Sequence, residues 1–182
     1  MRTGVLAAVF AAGVWCGVRM PADRGARPPA GPVRGEDPAV VGVAFGRECE
    51  RRLVEAIDAA EREIRVAIYS FTRRNISGAL ARAADRGVSV IVRYDADSSD
   101  DRSEMPDVIA FLRRRHVRCE AVQMDGPRAK MHHKFTVVDR RIVLTGSYNY
   151  TTSATEANRE NLVRIESYRV AGDYLAEFER LR

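Results

Sequence analysis

From Val40 onward the chain alternates short β-branched runs with longer stretches whose apolar residues recur every three or four positions. Val40–Phe45 reads as a strand. Residues 47–61 read as a helix, because Cys49, Leu53, Ile57 and Ala60 fall on one face. An apolar strand is expected at 64–71, where the run IRVAIYSF has no polar alternation and so predicts a central strand covered on both faces. A second helix over 75–86 would turn Ile76, Ala79, Leu80 and Ala83 inward, with Gly87 just past its end. A strand at 88–94, a short helix at 107–116 and a strand at 117–122 continue the alternation. After a hairpin comes a strand at 161–165, and a last helix that groups Val170, Tyr174, Phe178 and Leu181. Strands alternating with helices predict an α/β sandwich, a central mixed sheet flanked by helices.

The hairpin holds most of the chemistry. KFTVVD and IVLTG are β-branched runs separated by Arg140-Arg141, which predicts two strands and a tight turn. His132 and Lys134 are two apart, so on a strand they project to the same side. Gly146-Ser147 follows the second run, where a glycine lets backbone approach a ligand closely, and Asn149 adds an amide. An imidazole can act as nucleophile or proton carrier near neutral pH. Lys134, Ser147 and Asn149 donate hydrogen bonds and suit an anion such as a phosphate. Glu160 could hold the imidazole in one tautomer. The set points to attack on a phosphodiester by histidine.

Written out, the run is His132-x-Lys134, four residues, Asp139, six residues, then Gly146-Ser147-Tyr148-Asn149. This pattern resembles the signature of the phospholipase D superfamily, usually spelled HxK(x)4D(x)6GSxxN; here the last part is GSYN, with the Asn three residues after the Gly, as in several single-motif members. The upstream stretch AIYSFTRRNISGALARAADRGVSVIVRYDADSS is similar to the small bacterial endonucleases of that superfamily. The run MHHKF…TGSYNYT…NREN is similar to its mitochondrial cardiolipin hydrolase branch. The resemblance covers residues 40–182 and implies a phospholipase D-like sandwich. It implies that His132 is the nucleophile, that Lys134 and Asn149 hold the phosphate with Ser147 beside them, and that Glu160 orients the histidine. Asp139 matches the motif's aspartate and is grouped with the catalytic set, in a structural or supporting capacity. The family needs two such motifs per active site, one histidine attacking and the other protonating the leaving group. One motif per chain therefore implies a homodimer with the site on its two-fold axis. The mechanism the resemblance implies uses no cofactor and no metal.

Other residues receive plainer readings. His133 neighbours His132 but points to the opposite face of a strand, so packing or a supporting role is expected. His116 follows Arg113-Arg114-Arg115 at a helix end, where positive charge suits the dipole. The acidic stretch Asp95, Asp97, Asp100, Asp101 lacks the glycine and distal glutamate of a calcium loop and reads as a solvated loop. The chain has 28 Arg but only two Lys, Lys130 and Lys134, both at the motif. An ammonium kept in an arginine-dominated chain supports the site, since the two cations are not interchangeable.

Composition changes the picture mainly at the N-terminus. The formal net charge of the 182 residues is +5. Residues 1–35 hold five Arg and one Asp, so the remainder is close to neutral and overall charge is no argument for nucleic-acid binding. Local clusters remain: Arg73-Arg74, Arg113 to Arg115, Arg128 with Lys130, and Arg140-Arg141. Residues 4–18 are apolar and lie between Arg2 and Arg19, short for a membrane span of about 20 residues and suited to a signal-peptide core. Arg19, Met20 and Pro21 interrupt any cleavage site, so the expectation is an uncleaved signal anchor over 1–20, with a cleaved signal peptide as alternative. A Pro/Gly/Arg-rich linker over 21–38 and the phosphodiesterase domain over 39–182 follow. Cys49 and Cys119 could pair in an exported domain, but their spacing forces nothing. The mitochondrial branch carries a cysteine cluster that is missing here, which favours a bacterial envelope location over a mitochondrial outer membrane. Taken together, a membrane-tethered phosphodiesterase acting on nucleic acid is expected, with phospholipid hydrolysis to phosphatidic acid as alternative and an inactive phosphate-binding scaffold as a third reading.

Overall fold

The computed structural model describes residues 39–97, 105–126 and 128–181. The expected anchor, the linker, Asp100 and Asp101 lie outside the described residues. Seven strands and five helices follow one another: β1 (Val40–Phe45), α1 (Arg47–Asp58), β2 (Glu63–Ile68), α2 (Arg74–Asp85), β3 (Ser89–Asp95), α3 (Met105–Arg114), β4 (Arg118–Val122), β5 (Lys134–Val138), β6 (Ile142–Gly146), α4 (Thr152–Glu156), β7 (Asn161–Glu166) and α5 (Tyr168–Arg180). The strands form one sheet in the order β1-β7-β6-β5-β2-β3-β4. β2, β3 and β4 are parallel neighbours joined through α2 and α3, and the other pairings are antiparallel.

The side chains sort by strand parity. Ile64, Val66 and Ile68 of β2, with Val92, Val138 and Leu144, join Leu53, Ile57, Ile76 and Leu80 in the core beneath α1, α2 and α3. Ala67, Phe135, Val137 and Val143 face the other way, onto Ala171, Leu175 and Phe178 of α5. Leu53, Ile64, Ile76, Leu80 and Phe178 are fully buried. Each such side chain contributes about 1.5–3 kcal/mol, and the apolar run of β2 is buried on both faces because α5 covers what α1–α3 do not. The expected inward faces of α1 and α2 are all buried.

Three differences from the sequence reading have local causes. The hairpin turn is centred on Asp139-Arg140, one residue earlier than expected, with φ of 51° and 57°. Arg141 N–H closes it onto the Val138 carbonyl at 3.0 Å. Two consecutive left-handed residues fit the right-handed twist of a hairpin, and aspartate tolerates that conformation. Helix α1 ends at Asp58, earlier than 61, since Glu61 and Arg62 turn their N–H groups onto the Asp139 carboxylate. The short α4 has too few residues for a periodic signal; Thr151 caps it by accepting the Ala154 N–H at 3.2 Å.

Candidate active site

The sheet brings the motif to one rim. β1, β2, β3 and β6 run toward that rim and β5 and β7 run away from it. Phe45, Tyr69, Asp95, His132, Ser147 and Asn161 therefore gather there from six strands, where parallel strands end and ligands bind in open α/β sheets.

His132 lies two residues before β5 and is exposed. Lys134 Nζ lies 3.3 Å from His132 Nε2 and 3.4 Å from Nδ1, and it donates to the His132 carbonyl at 3.1 Å. The two side chains thus share one side of the strand, as their spacing requires. Tyr69, buried at the end of β2, sets its ring 4.6 Å from the imidazole, tilted by 56°. Lys134 Nζ stands 5.2 Å over the same ring, within cation–π range. Sequence reading missed Tyr69; its position one residue past an apolar strand that ends beside β5 was the available signal.

Opposite them runs β6. The register pairs Phe135 with Thr145, so Gly146 stands across from Lys134 and Ser147 comes next. The Ser147 hydroxyl bonds the Glu160 carboxylate, and it accepts the Asn161 N–H at 3.1 Å and the Asn161 amide at 3.3 Å. Asn158 Nδ2 donates to the second Glu160 oxygen at 3.2 Å. Glu160 therefore clamps Ser147 and the β7 entry within the protomer. Within the protomer its described side-chain bonds run to Ser147 and Asn158. The glycine at 146 is obligatory for this packing: a Cβ there would sit 2.3 Å from the Asn161 carbonyl oxygen. Asn149 lies between the buried Tyr148 and Tyr150, whose hydroxyls bond Thr155 at 2.5 Å and Thr136 at 2.6 Å. Asn149 Oδ1 is itself buried without a partner among the described residues. Such groups are rare in a finished interior.

Asp139 does not belong to this cluster. It stands at the other end of β5, seven residues from His132, roughly 20 Å away along an extended strand. Its carboxylate accepts the N–H groups of Glu61, Arg62 and Glu63 at 3.0, 2.8 and 2.9 Å. Burial acts to raise its pKa, but these three donors outweigh it and hold the carboxyl below its ordinary value. These bonds tie the hairpin to the start of β2.

His133 faces away, as expected: Nε2 lies 3.2 Å from Glu177 of α5 and its ring packs on Phe135. His116 sits in the turn after α3 with a φ of 60°. Asp95 departs from the solvated-loop reading. It is 2% exposed and accepts the Met131 N–H at 2.7 Å and the Asp97 N–H at 3.0 Å. Cys49 and Cys119 are both buried and free. The arginine clusters divide. Arg73 is bound to Glu50 and Glu156, and Arg141 to Glu166. Arg74 and Arg114 have no acidic partner among the described residues and line a cleft between α2 and α3.

Known proteins place this arrangement. Residues 53–182 match the family model described as cardiolipin synthase, PLD-like domain. Human mitochondrial cardiolipin hydrolase is 33% identical over 140 residues, 77% of this chain and 53% of that protein. Phospholipase D of Rickettsia prowazekii is 32% identical over 127 residues, 70% of this chain and 59% of that protein. The chain thus spans little more than half the length of these relatives. The crystal structure of Nuc, a phospholipase D family member from Salmonella typhimurium, superposes with a TM-score of 0.73 at 28% identity, covering 79% of this chain and 93% of that one. With the motif residues gathered on the rim that this fold provides, the chain belongs to the phospholipase D superfamily.

Proposed function

We infer that the protein hydrolyses phosphodiesters through a covalent phosphohistidine. The observation that carries this reading is that the exposed His132 meets Lys134 at the start of β5, across from the end of β6 that leads directly into Ser147 and Asn149. Lys134, Ser147 and Asn149 hold the phosphate oxygens. A nitrogen of His132 attacks phosphorus, an N–P bond forms, and the P–O bond to the leaving group breaks. The leaving oxygen takes its proton from His132 of a second copy across a two-fold axis. Water then gives its proton to that histidine and attacks phosphorus, breaking the N–P bond and releasing the phosphate product. Splitting one displacement into two lowers the barrier of each.

Nucleic acid is the leading substrate class. The cleft between α2 and α3, about 370 Å³, is lined by Arg74, Arg114, Phe111 and Thr72 together with Asp107. Thr72, at one end of its lining, stands three residues after Tyr69 in the chain. Guanidinium groups around an aromatic ring suit a strand of bases and phosphates. Phospholipid hydrolysis is the second reading, favoured by the exposed apolar residues of β1 next to the same rim.

The test uses the full chain in chelator, offered single-stranded DNA, single-stranded RNA and cardiolipin-containing vesicles in parallel. His132→Asn should lower turnover roughly 10³-fold or more and remove an acid-labile, alkali-stable phosphoryl group from the trapped enzyme. Turnover that survives the substitution would overturn the nucleophile, and a strictly monomeric, fully active protein would overturn the shared site.

A further inference from the structure

Among the described residues β1 is an edge strand, paired on one side only, and its burial pattern is unusual. Val41, Val43 and Phe45 are 58%, 57% and 69% exposed. By parity they share one face, the α5 face of the sheet, next to Ile165, Val163 and Asn161 of β7. α5 packs on Phe135, Val137 and Val143 and leaves this margin uncovered. An uncovered apolar edge invites unwanted pairing and persists where it has an occupant.

We propose that the outer face of β1 docks on an anionic lipid surface, with Phe45 entering the acyl region and Arg47 and Arg159 binding headgroup phosphates. Phe45 is the last residue of β1, and Gly46 N–H bonds the Glu160 carbonyl at 3.0 Å, so the segment that bears Arg47 is fastened to the one that bears Arg159. Both arginines are exposed and have no acidic partner among the described residues. An apolar strip ending in unpaired guanidinium groups complements a bilayer with anionic headgroups, where each cation near the surface adds about 1 kcal/mol. The position along the chain agrees. Residues 4–18 are an apolar run, and 21 residues separate Val18 from Val40. The anchor expected over residues 1–20 thus comes shortly before β1 in the chain, with β1 the first strand of the described residues. Phe45 pairs with Asn161, which bonds Ser147, and β1 lies three strand spacings, about 14 Å, from β5 along the rim. Docking through β1 therefore brings the membrane to the mouth of the site, and it does so whichever phosphodiester is cut.

The chain's one tryptophan is Trp15, so Trp15→Phe with Phe45→Trp makes residue 45 the sole reporter in the full-length protein. Reconstituted with vesicles of phosphatidylglycerol or cardiolipin in phosphatidylcholine, residue 45 should show blue-shifted emission and quenching by brominated acyl chains. Quenching should fall severalfold in pure phosphatidylcholine, in high salt, and after Arg47→Ala with Arg159→Ala. Val43→Asp, on the exposed face, should abolish it while circular dichroism stays unchanged. Emission at 45 that stays unquenched in anionic vesicles would overturn the proposal. So would emission that blue-shifts with protein concentration in the absence of lipid, which would assign the strip to a second copy.

Discussion

Asp95, at the end of β3, accepts the backbone N–H of Met131 at 2.7 Å, one residue before His132. The same carboxylate takes the Asp97 N–H at 3.0 Å, and Lys130 Nζ donates to the Asp97 carbonyl at 3.1 Å. The loop that delivers His132 is thus pinned to β3 by a buried acid that never touches the imidazole. Asp95→Asn keeps one good acceptor and should lower kcat modestly. Asp95→Ala leaves the Met131 N–H buried and unpaired, a loss of about 1–3 kcal/mol, and should lower kcat at least tenfold with little change in KM. Equal damage to kcat and to the melting temperature from both variants would mean that Asp95 serves only the fold.

Gly146 faces the β7 entry, where a Cβ would lie 2.3 Å from the Asn161 carbonyl and 2.7 Å from Asn161 Oδ1. Backbone cannot retreat as a side-chain tip can. Gly146→Ala should therefore destabilise the protein by about 1–3 kcal/mol and should also displace Ser147, which Asn161 and Glu160 hold. Chemical denaturation reads the first effect and KM the second. An alanine variant as stable and active as the parent would refute the packing account.

Much of this was legible in the chain. Apolar periodicity located the faces of α1 and α2, because helices that cover a sheet carry a wide apolar stripe. The motif spacing placed His132, Lys134 and Ser147 on one rim, because strand parity and a short hairpin leave little freedom. What stayed hidden depended on contacts far apart in sequence. Tyr69 reaches His132 only through the β2–β5 pairing. Asp95 reads as one of several loop acids until β3 is set beside the Met131 segment. The contacts of Asp139 and Glu160 were hidden in the same way: three backbone amides reach the first, Ser147 and Asn158 the second.

The Asp139 carboxylate gives a pH dependence whose sign is fixed. Its folded pKa is below the ordinary value of 3.8, so the folded state favours the charged form. Its contribution is fully present above the unfolded pKa and is lost as pH falls through the folded one. Asp139→Asn should therefore narrow the stability gap to the parent as pH drops from about 5 toward 3. At neutral pH, Asp139→Ala should cost about 2–4 kcal/mol through three unpaired amides, with the hairpin loosened and the chemistry slowed only secondarily. A variant that loses activity while its denaturation midpoint stays unchanged would place Asp139 in the catalytic set.

Burial pushes the Cys49 and Cys119 thiols up to about 11 each. Cys49 lies against the Ala44 and Glu160 carbonyls, and the Glu160 and Glu48 charges add to the effect. Little thiolate exists at pH 8, and access is closed, so both cysteines should resist iodoacetamide in the native protein and react fully in denaturant. Cys49 sits where α1 meets the Glu160 segment, so its reaction rate also reports whether the clamp on Ser147 opens. Tracking Cys49 by mass spectrometry in parent and Ser147→Ala should show faster labelling in the variant, with Cys119, on the far edge of the sheet, as internal control. Equal acceleration at both cysteines would indicate global unfolding and not release of the clamp.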